Sequence, residues 1–184
     1  RLPDIGVLIH RRGVFVVLYQ CVDEMLDLSR LEAGSVKLDY AEFDLLETVR
    51  EAFGKFEMQI GEKSVSVSFP LAGVCTVIAD HERIAQAVEN IVSNAVKYTP
   101  YQGEISIKVF KENGKTVFTA ENSFGFMTPQ ELSKVWEPFY RSDSAALEEG
   151  TGLGLSIVKG IIELHGGECI SQLTESGVMF GFKI

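Results

Sequence analysis

The residues of this chain whose types and spacing can do chemistry stand in two short segments. In the first, "RIAQAVENIVSNAVKYTP" (83–100), Arg83, Gln86, Asn90, Asn94 and Lys97 recur at three- and four-residue steps. At about 100° per residue they share one stripe of a helix, while Ile84, Val88, Ile91, Val92 and Ala95 share the opposite one. A charged helix face is ordinarily a solvated face. Two asparagines four apart are harder to dismiss, because Asn is a mediocre helix former whose side chain prefers caps and turns. A carboxamide oxygen is a hard ligand, suited to a Mg²⁺ ion that keeps its waters beside a triphosphate. In the second segment, "EEGTGLGLSIVKG" (148–160), Gly150, Gly152 and Gly154 alternate and run straight into an apolar helical pattern. A helix start leaves backbone N–H groups unpaired and partly positive, and glycine lets an anion come close, so phosphate is the natural guest. A short glycine motif alone also fits a plain flexible loop.

Two common phosphate motifs are excluded. A P-loop needs a Lys-Ser/Thr pair after its last glycine, and a dinucleotide fold needs a buried strand directly before its glycines. Here "RSDSAALEE" (141–149) precedes the glycines, polar and acidic, and reads as an exposed lid over a ligand. The 184 residues are 46% hydrophobic, enough for one substantial core and a small appendage. A net charge of -9 argues against nucleic acid as a partner. Cys21, Cys75 and Cys169 are widely spaced and form no Cys-x-x-Cys pair, so they read as reduced thiols of a cytosolic domain. No apolar run reaches the roughly 18 residues of a membrane span.

The elements that must carry these groups follow from periodicity. Residues 15–31 read as a helix with Leu18, Val22, Met25 and Leu26 on its apolar face, a solvated acidic face, and an end at Ala33-Gly34. A strand is expected at 36–40, then one long helix over 43–63 with Asp44 as its N-cap, and strands at 64–69 and 75–79. Asp80 caps the Asn-bearing helix, which runs to about Tyr98. Strands 104–110 and 116–122 flank Asn113-Gly114 as a hairpin. A short helix over 129–139, the glycine-led helix, and strands 168–173 and 178–184 complete the chain. The mixture lacks regular β-α-β alternation, so an α+β, two-layer α/β sandwich is expected.

"ENIVSNAVKYTP", "WEPFYR" and "EGTGLGLSIVKGIIELHGG" together resemble the N box, F box and G2 box of the catalytic, ATP-binding domain of two-component sensor histidine kinases, which has the Bergerat ATP-binding fold shared by the GHKL superfamily. The three motifs stand in that family's order and spacing, and the resemblance covers residues 15 to 184. It implies ATP and Mg²⁺ as cofactors, with Asn94 on the metal, Asn90 beside it, Lys97 on phosphate and Tyr98 packed near the adenine. By the same resemblance Arg141 reaches the terminal phosphate and Phe139 anchors the lid. Gly150, Thr151, Gly152, Leu153, Gly154 and Leu155 form the lid hinge and the phosphate-facing helix start. The catalytic set it implies is Asn90, Lys97 and Arg141. Residues 1–34 resemble a remnant of a dimerisation and phosphotransfer helix, with unplaced residues at its start, and 35–184 the catalytic domain. Implied partners are the parent's dimerisation segment and a response regulator, with a homodimeric parent whose cytoplasmic domain is anchored to the cell membrane.

Two departures stand out. Where the family usually has Asp-x-Gly-x-Gly, this chain has "NSFGF" (122–126): Asn122 replaces the adenine-reading Asp, and Gly125 is the nearest replacement for the lost glycines. Asn122 still offers a carbonyl oxygen to the adenine amino group, without charge assistance. Similar text occurs in envelope-stress and antibiotic-responsive (VanS-like) sensors. The family's phosphoacceptor motif is also absent: His10 lacks the following acid and Thr-Pro, His81 follows a helix cap, and His165 ends a helix. Two other readings remain. A nucleotide-poor pseudokinase would act as an interaction module. A GHKL-type ATPase would need a water-activating Glu where Asn90 stands, and Glu89 points about 100° away.

Overall fold

The computed structural model describes residues 21–69, 74–123, 127–142 and 150–184. Helix α1, over 21–32, ends where Gly34 takes a φ of +60° and its N–H reaches back to the Leu31 carbonyl. Then follow β1 (Tyr40–Asp44), α2 (Leu45–Gly54), α3 (Glu57–Lys63), β2 (Ser66–Ser68), β3 (Thr76–Asp80) and α4 (His81–Tyr98). The second half holds β4 (Glu104–Glu112), β5 (Lys115–Ser123), α5 (Pro129–Lys134), α6 (Gly154–Leu164), β6 (Glu168–Leu173) and β7 (Gly177–Lys183). Five strands form one sheet in the order β2-β4-β5-β7-β6, and β1 pairs with β3 in a separate two-stranded ribbon. In the larger sheet β2–β4 is parallel and the other pairs are antiparallel. Helices on one face of a mixed sheet make the expected α+β two-layer sandwich.

Helix α4 is the hub. Its face of Ile84, Val88, Ile91 and Val92 is fully buried against Ile157, Ile161 and Ile162 of α6 and against sheet residues such as Ile105, Phe118 and Phe182. Each such side chain contributes about 1.5–3 kcal/mol by leaving water. Burying that face fixes the direction of the opposite, polar stripe. Asp80 does cap α4, accepting from the Arg83 N–H at 3.0 Å, and Asp44 caps α2, accepting from Leu46 N at 3.0 Å. The β4–β5 hairpin turns through Asn113 and Gly114 with φ of +50° and +80°, the type I′ geometry this pair favours. Leu28 and Leu31 of α1 enter the same core, and a Cβ on Gly160 of α6 would meet Leu31 Cβ at 3.2 Å, so the two helices approach closely there.

Several boundaries differ from the sequence reading. The strand expected at 36–40 lies at Tyr40–Asp44, because its partner β3 sets the register, Tyr40 opposite Asp80 and Asp44 opposite Thr76. The Asp39 N–H goes to the Asp80 carboxylate instead of a ladder. The single helix over 43–63 is two helices: α2 ends at Gly54, a poor helix former, and Phe56 bonds back to Phe53 before α3 begins. Strand 64–69 shortens to Ser66–Ser68, since Ser64 is spent closing α3 with a φ of +52°. The helix over 129–139 stops at Lys134, ahead of Glu137-Pro138, where the residue before proline disfavours helix. The first half of the expected helix 15–31 lies outside the described residues.

Candidate functional site

A cavity of about 840 Å³ opens beside the C-terminal half of α4, between the end of α3, strands β5 and β7, and the segment 150–155. The polar stripe of α4 divides in two at its edge. Arg83 and Gln86 turn to α1: Arg83 Nη1 donates to both Asp27 oxygens at 2.9 and 3.1 Å, and Gln86 Nε2 donates to Asp27 Oδ2 at 2.7 Å. The acidic face of α1, expected to be solvated, is therefore partly engaged, because a half-buried guanidinium and amide sit against it. Asn90, Ser93, Asn94, Lys97 and Tyr98 carry the other half of the stripe along the cavity wall. Lys97 Nζ lies 4.8 Å from the centre of the Tyr98 ring.

The three glycines differ in what they make room for. A Cβ on Gly150 would lie 2.7 Å from Lys97 Nζ. Gly152, at φ +77°, sits against the Phe139 backbone, where an added Cβ would lie 2.9 Å from the Phe139 carbonyl carbon, and its own carbonyl accepts the Phe139 N–H at 3.0 Å. A Cβ on Gly154 would make only ordinary contact, with Asn90 at 3.7 Å, and the Gly154 carbonyl accepts from Asn90 Nδ2 at 3.3 Å. Thr151 between them accepts from Leu153 N at 3.2 Å and donates to Glu24 of α1 at 2.5 Å. Of the flanking residues, Leu155 lines the cavity, whereas Leu153 is fully buried in the core. Phe139 stands apart: its ring is exposed and does not line the cavity, and its part is played by its backbone.

The remaining wall is largely apolar. Met127, Val135, Val178 and Phe180 line it around Asn122, which pairs with Val178 across β5 and β7. Asn122 is 2% exposed and its Nδ2 donates to Ser123 O at 3.1 Å, which leaves Oδ1 as the acceptor for a bound group. Trp136 braces this wall, edge-on to Phe180 at 6.0 Å, with its Nε1 donating to Ser171. Arg141 and Ser142 also line the cavity. Gly125 and the acidic lid of 143–149 lie outside the described residues. The structure thus brings the α4 amides, Lys97, Asn122, Arg141 and the glycine segment to one cavity.

Its chemistry is that of a polyanion carrying an apolar ring system. No group of three or more His, Cys, Asp and Glu is clustered among the described residues, so no all-protein metal cage exists there. The carboxamides of Asn90 and Asn94 do fit Mg²⁺, which binds through a single protein oxygen when phosphates and waters complete its shell. The cysteines are all free thiols, and burial, with the Glu163 charge, pushes Cys169 up to about 12. Lys63 and Glu24 are cavity residues that sequence reasoning missed. Glu24 is invisible without knowing where α1 docks. For Lys63 a signal existed in Pro100, which deprives the preceding turn of a hydrogen-bond donor.

Residues 79–183 match the protein family described as histidine kinase-, DNA gyrase B-, and HSP90-like ATPase. The chain is 31% identical over 174 residues to histidine protein kinase DivJ of Caulobacter vibrioides, covering 94% of this chain and 29% of that protein. The catalytic domain of histidine kinase ThkA, in a nucleotide-free form, superposes with a TM-score of 0.72 at 33% identity, over 80% of this chain and 95% of that one. ThkA in complex with the response regulator TrrA superposes with a TM-score of 0.78 at 28% identity, over 100% of this chain and 52% of that one. This chain spans less than a third of the length of DivJ.

Proposed function

This chain belongs to the family of histidine kinase-, DNA gyrase B-, and HSP90-like ATPases, on its histidine kinase side, and from that premise we propose that it transfers the γ-phosphoryl group of Mg-ATP to a histidine of its parent's dimerisation segment in two-component signalling. The observation that carries this reading is the facing of Asn90, Asn94 and Lys97 against the glycine segment across one cavity, with Asn122 in its apolar wall. In it, Asn122 Oδ1 accepts from the adenine amino group and Tyr98 packs near the base. Lys97 and Arg141 hold phosphate oxygens, and Asn94 holds the metal. Mg²⁺, when bound, neutralises charge between the phosphates. Transfer breaks the bond from the γ-phosphorus to its bridging oxygen and forms one to an imidazole nitrogen, with ADP leaving. The protein's part is positioning and stabilising the charge spread over the transferred group by Lys97 and Arg141.

The histidines of the described residues have other work. His165 accepts the Asp80 N–H at Nε2, 3.1 Å away, and bonds Ile161 O through Nδ1 at 2.8 Å, while the His81 ring packs at a tilt against Phe43. We therefore assign the acceptor to another segment. A response regulator is the onward partner, in keeping with the ThkA–TrrA complex. The parent is a homodimer, anchored in the cell membrane, with this domain on the cytoplasmic side. No helix of the described residues is long and apolar enough to cross a membrane. Calorimetric titration with ATP, with and without Mg²⁺, tests the site: Asn94→Ala abolishes the metal-dependent part of the affinity. Equal affinity with and without metal in the wild-type chain refutes the assignment. No nucleotide binding at all makes the chain a pseudokinase.

A further inference from the structure

Helix α4 ends under an unusual constraint. In a continuing helix the Val96 carbonyl would accept from the N–H of residue 100, which is Pro100 and has none. Thr99, at φ -68° and ψ 128°, has already left the helix. Its N–H and hydroxyl serve the Ala95 carbonyl at 3.1 and 2.6 Å. The next carbonyls are met from outside, by the last residue of α3. Lys63 Nζ donates to Val96 O at 3.1 Å, Lys97 O at 2.7 Å and Thr99 O at 3.1 Å. The Lys63 carbonyl in turn accepts the Gln102 N–H at 2.9 Å, tying down the chain beyond the proline.

An ammonium has three donors, and three carbonyls use all of them. Lys63 borders the cavity, yet it is spent on the backbone. The carbonyls it holds belong to the turn that bears Lys97 and Tyr98. A cation at this helix end also complements its partial negative charge.

We propose that Lys63 is a positioning residue for nucleotide binding, fixing the last turn of α4 so that Lys97 and Tyr98 face the ligand. The proposal rests on the nucleotide reading of the cavity given above. The test compares wild type, Lys63→Met and Lys63→Arg by calorimetric titration with Mg-ATP and Mg-ADP, well below each variant's unfolding temperature. Lys63→Met weakens both nucleotides by roughly 10- to 100-fold, the range for outer residues that orient ligand-binding groups. Lys63→Arg, which retains the donors, recovers most of the affinity. A domain merely destabilised would bind unchanged at that temperature. An unchanged Kd for Lys63→Met, or a loss for ATP with none for ADP, overturns the proposal, the latter by making Lys63 a γ-phosphate ligand. Failure of the wild type to bind either nucleotide instead overturns the reading of the cavity. Should Lys63→Met not fold, Lys63→Gln, with two donors, takes its place and falls between wild type and the predicted loss.

Discussion

Alanine at each of the three alternating glycines separates backbone need from ligand need. At Gly152, φ is +77° and an added Cβ would lie 2.9 Å from the Phe139 carbonyl carbon and 3.1 Å from its Cα and O. The left-handed backbone costs an L-residue about 1–2 kcal/mol. The clash is with main chain that cannot rotate away, for about 1–3 kcal/mol more. The loop relieves roughly 2–5 kcal/mol of strain by leaving its place, breaking the Phe139 N–Gly152 O bond. At Gly154 nothing lies nearer than 3.7 Å, and alanine for glycine at a helix start is neutral or slightly stabilising. At Gly150 the steric obstacle is Lys97 Nζ at 2.7 Å, the end of a flexible chain that moves aside, but φ is +156°, which L-residues rarely adopt, so alanine strains the backbone there by about 1–3 kcal/mol. Urea denaturation and Mg-ATP titration on the three variants read this out. Gly152→Ala lowers both stability and affinity and has the larger loss of midpoint, Gly150→Ala lowers affinity with a smaller loss of midpoint, and Gly154→Ala keeps its midpoint. Any loss of affinity at Gly154→Ala is then the phosphate's own demand for a bare backbone. A Gly152→Ala variant with wild-type midpoint and affinity refutes the reasoning, as does a Gly154→Ala variant equally destabilised.

Asn122→Asp sets a buried acceptor against the Ser123 carbonyl now held by Nδ2 at 3.1 Å, a cost of about 1–3 kcal/mol. Burial raises the new carboxyl's pKa, so its stability is full below the unfolded value near 4 and is lost as pH rises through the raised one; a midpoint equal to wild type at pH 8 refutes the assigned carboxamide orientation. Asp27→Ala leaves Arg83 and Gln86 without their shared acceptor and destabilises by about 1 kcal/mol, and a double-mutant cycle of Asp27 with Arg83 in urea shows coupling; zero coupling refutes the clamp. Burial favours the neutral form of Asp80, but the N–H groups of Asp39 and Arg83, with the charges of His165 and Arg83, outweigh it and hold its carboxyl below the usual range. Its contribution is therefore present above the ordinary carboxylate pKa near 3.9 and is lost as pH falls through the lowered one. Asp80→Asn flattens the acid limb of the stability profile, and identical limbs count against it.

What the sequence made legible was local. The face of α4, its Asp80 cap, the Asn113-Gly114 hairpin and the glycine-led start of α6 each depend on residues a few positions apart. What it hid was pairing at a distance. The 3.6-residue period places Arg83, Gln86, Asn90, Asn94 and Lys97 on one stripe, but it cannot say that α1 lies along the first part and a cavity along the rest. The register of β1 is set by β3, which lies beyond two helices, so the alternation at 36–40 misled by four residues at its start. The apolar wall around Asn122 comes from three segments, at Met127, at Val135 and along β7, none of which the motif text named.

The position of Asn90 bears on what the cavity can do with a bound triphosphate. A hydrolysing relative needs a base one helical turn before its metal-binding Asn, and here the residue one turn before Asn94 is Asn90, a carboxamide, which has no basic lone pair to take a proton from water. Its Nδ2 is bonded to the Gly154 carbonyl instead, joining α4 to the glycine segment. The neighbouring carboxylate, Glu89, is turned to Lys55 at the C-cap of α2, 2.5 Å away, and does not line the cavity. Of the carboxylates that do border it, Glu24 accepts from Thr151 and Glu62 is exposed on α3. On the proposed reading, a triphosphate held between Lys97, Arg141 and the glycine segment meets no dedicated water-activating group on α4. On that reading its terminal phosphoryl is kept for a nucleophile that arrives from elsewhere, and an imidazole, already nucleophilic when neutral, needs no base to activate it. The Asp27–Arg83 and Glu24–Thr151 contacts place α1 directly on α4 and on the glycine segment.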